Sequence, residues 1–170
     1  MRNNNATQDK RLILQLERLR EDAEMRKARR WWRDAFWPRS AADYLKVEIA
    51  HGTQENKWLR QVATYWGMTA SFVLDGTLSE KAFLRPEFSD EVFSLFAKVH
   101  PFLRQLRSRT RNPDFMANVE KVILSSKTGR DRLRDASRRT NSCTKVTLGV
   151  PVGDAMQRQG MNREGNRDRA

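Results

Sequence analysis

The sequence holds one cysteine, Cys143, and two histidines, His51 and His100, in 170 residues. One cysteine excludes an internal disulfide and a cysteine-based zinc site, and fits a reducing compartment. Two isolated histidines make no triad or metal set. Each reads as a capping side chain near a helix end. No glycine-rich phosphate loop, G-x-S-x-G elbow, HExxH or CxxC is present. Asp90 and Glu91 are adjacent, and adjacent residues do not face one another on a helix. An enzyme is not expected, and no catalytic residue, metal ligand or cofactor is assigned. The longest uncharged stretch falls short of the roughly 20 apolar residues of a membrane span. The opening MRNNNATQDK has no apolar run, so no secretory signal is expected and a cytoplasmic location is. Without secretion, the acceptor pattern Asn5-Ala6-Thr7 carries little meaning.

Charge is what the chain has in plenty. It carries 33 basic and 21 acidic residues, a net charge of +12. Residues 1–43 have 11 basic against 7 acidic, residues 44–128 have 12 against 9, and residues 129–170 have 10 against 5. The excess sits on the two ends, which suits a polyanion or an acidic protein as well as plain solubility.

Against that background one stretch stands out. From Gln61 to Leu74, inside WLRQVATYWGMTASFVLDG, no residue is charged. Leu59, Val62, Ala63, Trp66, Ala70 and Val73 recur at helical steps, and Tyr65, Met68, Phe72 and Leu74 cover much of the rest. The pattern predicts a central helix buried nearly all round. Thr53 is its N-cap, Glu55 suits its first turn, and Gly76 stops it. Gly67 in mid-helix suggests that another helix approaches closely there.

Before it, residues 1–8 read as disordered and residues 9–37 as a basic helical arm. Its thin seam is Leu12, Leu16, Leu19 and Ala23. The arm ends in Arg29, Arg30, Trp31, Trp32 and Arg33, then Phe36, Trp37 and Pro38. Basic residues among tryptophans suit a membrane interface or base stacking, and equally an aromatic dock for the arm. Arg30 is spaced to pair with Asp34. Ser40 and Asp43 form a capping box for a short helix with Ala42, Leu45 and Ile49 inward.

After the central helix, Thr77 and Glu80 read as a second capping box, and Ser89 as the cap of a helix carrying Val92, Phe96, Val99, Leu103 and Leu106. The apolar register runs through Pro101, which predicts a kinked helix in preference to two helices. Arg104, Arg107 and Arg111 share one face, a second candidate contact for a partner or polyanion. Asn112-Pro113-Asp114 predicts a helix start, with Phe115, Val119, Val122 and Ile123 inward and Glu120 within reach of a neighbouring arginine. Gly129 marks a stop. Residues 130–139 form a charged helical extension with only Leu133 and Ala136 apolar. Residues 140–170 read as a disordered basic tail whose one β-like run is Val146–Val152.

The block YLKVEIAHGTQENKWLRQVATYWGMTASFVLDGTLSEKAFL, with FLRQLR and RNPDFMANVEKVI, resembles small bacterial all-helical proteins of the domain-of-unknown-function kind. The resemblance covers about residues 40–130. It implies an all-helical fold and no activity. In such proteins a charged helix continues beyond residue 129, whereas here the pattern fails.

These readings predict an all-α chain. Its core domain, residues 40–129, is a compact bundle of four to five helices, flanked by an N-terminal helical arm and a disordered C-terminal tail. The expected function is non-enzymatic binding or scaffolding, with a protein partner (or a second copy) engaged through the basic N-terminal helix. Two alternatives stay open: sequence-nonspecific nucleic-acid binding by the basic ends, and peripheral attachment to anionic membrane through Arg29–Trp37.

Overall fold

The computed structural model describes residues 2–147, with side chains for residues 6–142. Among the described residues every element is helical: α1 (Arg2–Arg20), α2 (Ala23–Asp34), α3 (Ala41–Glu48), α4 (Gln54–Leu74), α5 (Glu80–Phe83), α6 (Pro86–Val99), α7 (Leu103–Thr110), α8 (Ala117–Ser125) and α9 (Lys127–Thr147), with a 3-10 turn at His100–Phe102. The fold is all-α. Five helices of twelve residues or more carry it, and four short ones join them.

The uncharged run becomes α4, and α4 is the centre. It packs against α2, α8 and α3, while α6 packs against α9. Thr53 caps it, its hydroxyl accepting from the Asn56 amide at 3.2 Å. Gly76, at φ +80°, ends it in the left-handed conformation that glycine tolerates best. Buried Asn56 donates to the carbonyls of Val47 (3.0 Å) and Glu48 (2.7 Å), tying the end of α3 to the start of α4. Leu59, Val62, Tyr65, Trp66, Thr69 and Ala70 are buried. One face of α4 is open instead of closed all round: Met68 and Leu74 reach solvent, and a methyl group on Gly67 would meet nothing within 4 Å. Among the described residues no other helix comes within 4 Å of that position, so the expected close approach at Gly67 is not there. The close approach is at Gly129, whose Cβ would lie 2.1 Å from the Ile123 carbonyl oxygen.

The expected arm is two helices. Asp22 breaks it, accepting from the amides of Glu24 and Met25 as N-cap of α2. After this break α2 turns a new face inward, with Met25, Ala28 and Trp32 buried. The seam Leu12, Leu16, Leu19 and Ala23 meets Arg26 and Arg30 on the same face beyond this point because it runs across a helix end. α1 starts at Arg2, so residues 2–8 are helical. Its buried face holds Leu16 and Arg20, with Leu12 and Ile13 partly covered, and Leu19 is exposed. Asp9 anchors it, accepting from the amide and hydroxyl of Ser79.

Other boundaries move for local reasons. In α3 the inward residues are Ala41 and Tyr44, while Ala42 and Ile49 are exposed, because bulky Tyr44 takes the core position. His51 lies exposed in the turn beyond α3. Ser79, not Thr77, caps α5, and α6 starts at Pro86, with Ser89 buried inside it. At Pro101 the chain makes a 3-10 turn between two helices instead of a kink. Asn112 forms a local turn, its side chain accepting from the Asp114 amide at 3.2 Å. Arg111 and Met116 adopt left-handed φ of 52° and 53°, which delays α8 to Ala117. Helix α8 ends at Ser125 with Ser126 as its C-cap, not at Gly129, and the Ser126 hydroxyl accepts from the Gly129 amide at 3.1 Å.

One hydrophobic core runs from Leu16 to Ala136, so no boundary separates arm, residues 40–129 and extension. Helix α9 continues through residues 140–147; the expectation of a disordered tail otherwise falls on residues 148–170, outside the described residues. Sparse apolar residues suffice for α9 because Arg132 helps dock it. Its guanidinium donates to Leu84 O (2.6 Å), Ser89 Oγ (2.9 Å) and Asp90 Oδ1 (2.6 Å), and lies 4.1 Å from the Phe93 ring centre. Among the described residues no helix is long and apolar enough to cross a membrane.

Candidate functional site

Helix α2 presents two sides. Trp32 points into the core, 1% exposed, edge-on to Phe36 at 4.9 Å, and Trp31 stacks on Phe36 at 4.7 Å. Tyr44 continues the cluster, and burial pushes its hydroxyl pKa well above the ordinary value. The other side faces α6 and α9. There Arg29 Nε donates to both carboxylate oxygens of Glu91, at 2.8 and 3.0 Å.

Glu91 also meets Arg20 at 3.4 Å. Arg20 is buried, and donates to Glu17 (2.8 Å) and the Phe88 carbonyl (3.0 Å) beside the Trp66 ring. One carboxylate between two guanidinium groups therefore joins α1, α2 and α6. Removing a single member would strand buried charge, the costly outcome for such networks.

Lys98 closes the other end. Its Nζ donates to the carbonyls of Trp32 (2.6 Å) and Arg33 (3.0 Å) in the last turn of α2 and of Phe36 (3.0 Å) just beyond it. It also sits 3.7 Å from the centre of the Trp37 ring. Trp37 Nε1 donates to Asp34 O at 3.2 Å, so this indole is fixed at the rim with 38% of its surface exposed. A bidentate bond from Arg33 (2.7 and 3.0 Å) holds the Asp34 carboxyl below its ordinary pKa and raises that of Arg33. Asp34 pairs with this neighbour and not with Arg30.

Between α2, α6 and α9 these side chains enclose a groove of about 560 Å³. Trp37 and Pro86 bring exposed apolar surface to it over a floor of buried Phe88, Leu95 and Ala136, and Arg29, Arg33, Lys98 and Arg139 bring cations to it. Glu87, Asp90, Glu91 and Asp34 line the same groove, so both signs are represented. Among the described residues no group of three His, Cys, Asp or Glu could hold a metal ion.

The structure thus brings Arg29, Arg33 and Trp37 to one groove. It assigns Trp31 and Trp32 to aromatic packing and leaves Arg30 to solvent. Arg104, Arg107 and Arg111 lie away from this groove, on and just after α7. They are not equivalent. Arg107 is ion-paired to Glu120 at 2.7 Å and donates to Phe115 O at 3.0 Å, whereas Arg104 and Arg111 are exposed. The expected arginine partner of Glu120 is therefore Arg107. Lys98, Arg20 and Arg139 were not singled out from sequence, and Glu91 was read only beside Asp90. Lys98 carries a signal in retrospect, since it lies inside the apolar run Leu95–Val99.

A family model described as Domain of unknown function (DUF4760) matches residues 5–126. The chain belongs to this family. The DUF4760 match begins within α1 and reaches past the end of α8. It therefore includes the whole Arg29–Trp37 segment, which the resemblance read over residues 40–130 had left out. Helix α9, with Arg132, Ala136 and Arg139, follows the DUF4760 span and supplies one wall of the groove. No curated protein and no solved structure matches the chain.

Proposed function

We propose that this DUF4760 protein is a non-enzymatic binding or scaffold protein, and that a protein segment seats in the groove between α2, α6 and α9. The observation that carries this reading is the groove itself. An apolar lining with a rim of both signs matches the make-up of protein-binding surfaces, where a hydrophobic centre is ringed by polar groups. Glu87, Asp90 and Glu91 would repel a phosphate chain laid along the same path. The N-terminal basic segment takes part through Arg29, Arg33 and Trp37, as walls of a preformed site and not as a free arm. A bacterial, cytoplasmic setting belongs to the same reading.

Ser94 lies half-exposed in the groove. A photo-crosslinking amino acid at Ser94 is expected to yield discrete protein adducts in cells. A probe at exposed Lys57 is expected to give none of the same bands. Arg33→Glu with Arg139→Glu should abolish the Ser94 adducts. Equal adducts from both positions, or adducts indifferent to the double charge reversal, would contradict the proposal.

A further inference from the structure

We infer that the outer face of α7 and the turn after it form a second binding surface, which holds the phosphodiester backbone of a nucleic acid. This goes beyond the groove and does not depend on it. Residues 103–113 contain four arginines and no acidic residue. Arg107 is committed to Glu120 and Phe115 O. Arg104, Arg109 and Arg111 are exposed, and no ion pair is formed by them among the described residues.

Stability alone does not account for two of these three. Arg109 sits in the last turn of α7, where a cation complements the helix dipole. Arg104 is in the first turn, where a cation opposes it. Arg111 occupies the left-handed C-cap at φ 52°, a position that glycine or asparagine fills at less cost. Both guanidinium groups are held at positions the helix itself disfavours.

The chemistry of the face selects phosphate of a nucleic acid over a bilayer. The apolar side of α7, Leu103 and Leu106, is 2% and 0% exposed, so no apolar face remains to enter lipid. Among the described residues the large exposed apolar side chains are Leu14, Leu19, Trp37, Ile49, Met68 and Leu74, none of them on α7 or the following turn. Phe102 is buried and Phe115 packs against Tyr44 at 5.5 Å, so no aromatic ring stands free for base stacking. Gln105, Ser108 and Asn112 are exposed beside the arginines and offer the neutral hydrogen bonds that backbone contacts use. Asp114 is the one carboxylate in the adjoining turn. The surface reads backbone, not sequence.

Three phosphate contacts correspond to a log–log salt slope of about −2.7, or a loss of about 40-fold between roughly 50 and 200 mM salt. Fluorescence anisotropy of a labelled random-sequence duplex with the full chain tests this. Binding with that salt dependence is expected. Arg104→Gln with Arg109→Gln and Arg111→Asn should weaken it at least tenfold at a melting temperature no lower than the parent's. The corresponding triple change to lysine should retain most of it, and so should the groove variant Arg33→Gln with Arg139→Gln. No binding at low salt, equal binding by the glutamine variant, or loss in the groove variant alone would overturn the inference. Arginine-dependent binding to vesicles of anionic lipid without binding to the duplex would also overturn it.

Discussion

Two glycines in helices give opposite predictions, and both follow from space rather than from sequence. A methyl group on Gly67 meets nothing within 4 Å, and Gly67 is not among the glycines of positive φ. Alanine there removes the backbone freedom that glycine keeps in the unfolded chain, worth about 0.8–1.0 kcal/mol in a helix interior. For a chain of this size that corresponds to a rise of about 2–4 °C in melting temperature. Gly129 also lies in a helix, so propensity predicts the same gain. Its added Cβ, however, would sit 2.1 Å from the Ile123 carbonyl oxygen and 3.0 Å from the carbonyl carbon. Those are backbone atoms at the tight corner between α8 and α9, and they can yield only if the corner opens. The net cost is roughly 1–3 kcal/mol, the range for overpacking. Thermal and urea unfolding of Gly67→Ala and Gly129→Ala, followed by circular dichroism, measure both. A destabilised Gly67→Ala, or a Gly129→Ala as stable as the parent, would refute the reasoning.

Lys98→Met keeps the stem but leaves the carbonyls of Trp32 and Arg33 in α2, and of Phe36 just after it, without this donor; a loss of about 1–3 kcal/mol is expected in urea unfolding. Arg107→Gln should cost about as much, by orphaning Glu120 and Phe115 O, while Arg104→Gln should stay within about 0.5 kcal/mol, so equal effects would contradict the split of the arginine row. Burial raises the Glu48 carboxyl pKa, with Arg60 and His51 opposing. A raised acid means the folded state favours the neutral form, so stability falls as pH rises from the unfolded pKa through the folded one. Glu48→Gln should therefore raise the melting temperature at pH 7, and its advantage should vanish as pH falls below both values; an advantage independent of pH would argue against this. The Asp43 carboxyl is held low, chiefly by the Arg39 amide and then by Ser40, so its contribution to the start of α3 is present at neutral pH and is lost on acidification through its lowered pKa. Hydrogen-exchange protection factors in α3 should fall over that range in the parent and hold in Asp43→Asn.

The elements legible in the sequence were those set by local chemistry or by a long contrast in polarity. The uncharged run gave α4, and the caps at Ser40 and Thr53 needed only their own neighbours. Where tertiary packing decides, the pattern misled. An arginine with a planar fork can dock a helix as Arg132 does, and a hydrophobic count does not register it. Non-glycine residues in left-handed conformation, Arg111 and Met116, have no signature of their own, so the delayed start of α8 was hidden. Asp22 did carry a signal, an acidic cap followed by Glu24 in the first turn, but the longer heptad-like seam overrode it. Of the site, the arginine–tryptophan cluster was visible. Its partners on α6 were not, because Glu91 and Lys98 lie 62 and 66 residues from the α2 groups they meet and only folding brings them together.

The central claim is that Arg29–Trp37 is a wall of the folded body that shapes a groove, not a detachable arm. Native-state hydrogen exchange of the α2 amides tests it most directly. The account predicts that residues within Ala23–Asp34 exchange as slowly as the core of α4, through global unfolding alone. Rapid exchange across α2 while α4 stays protected would mean that the segment detaches, and the groove it walls would go with it.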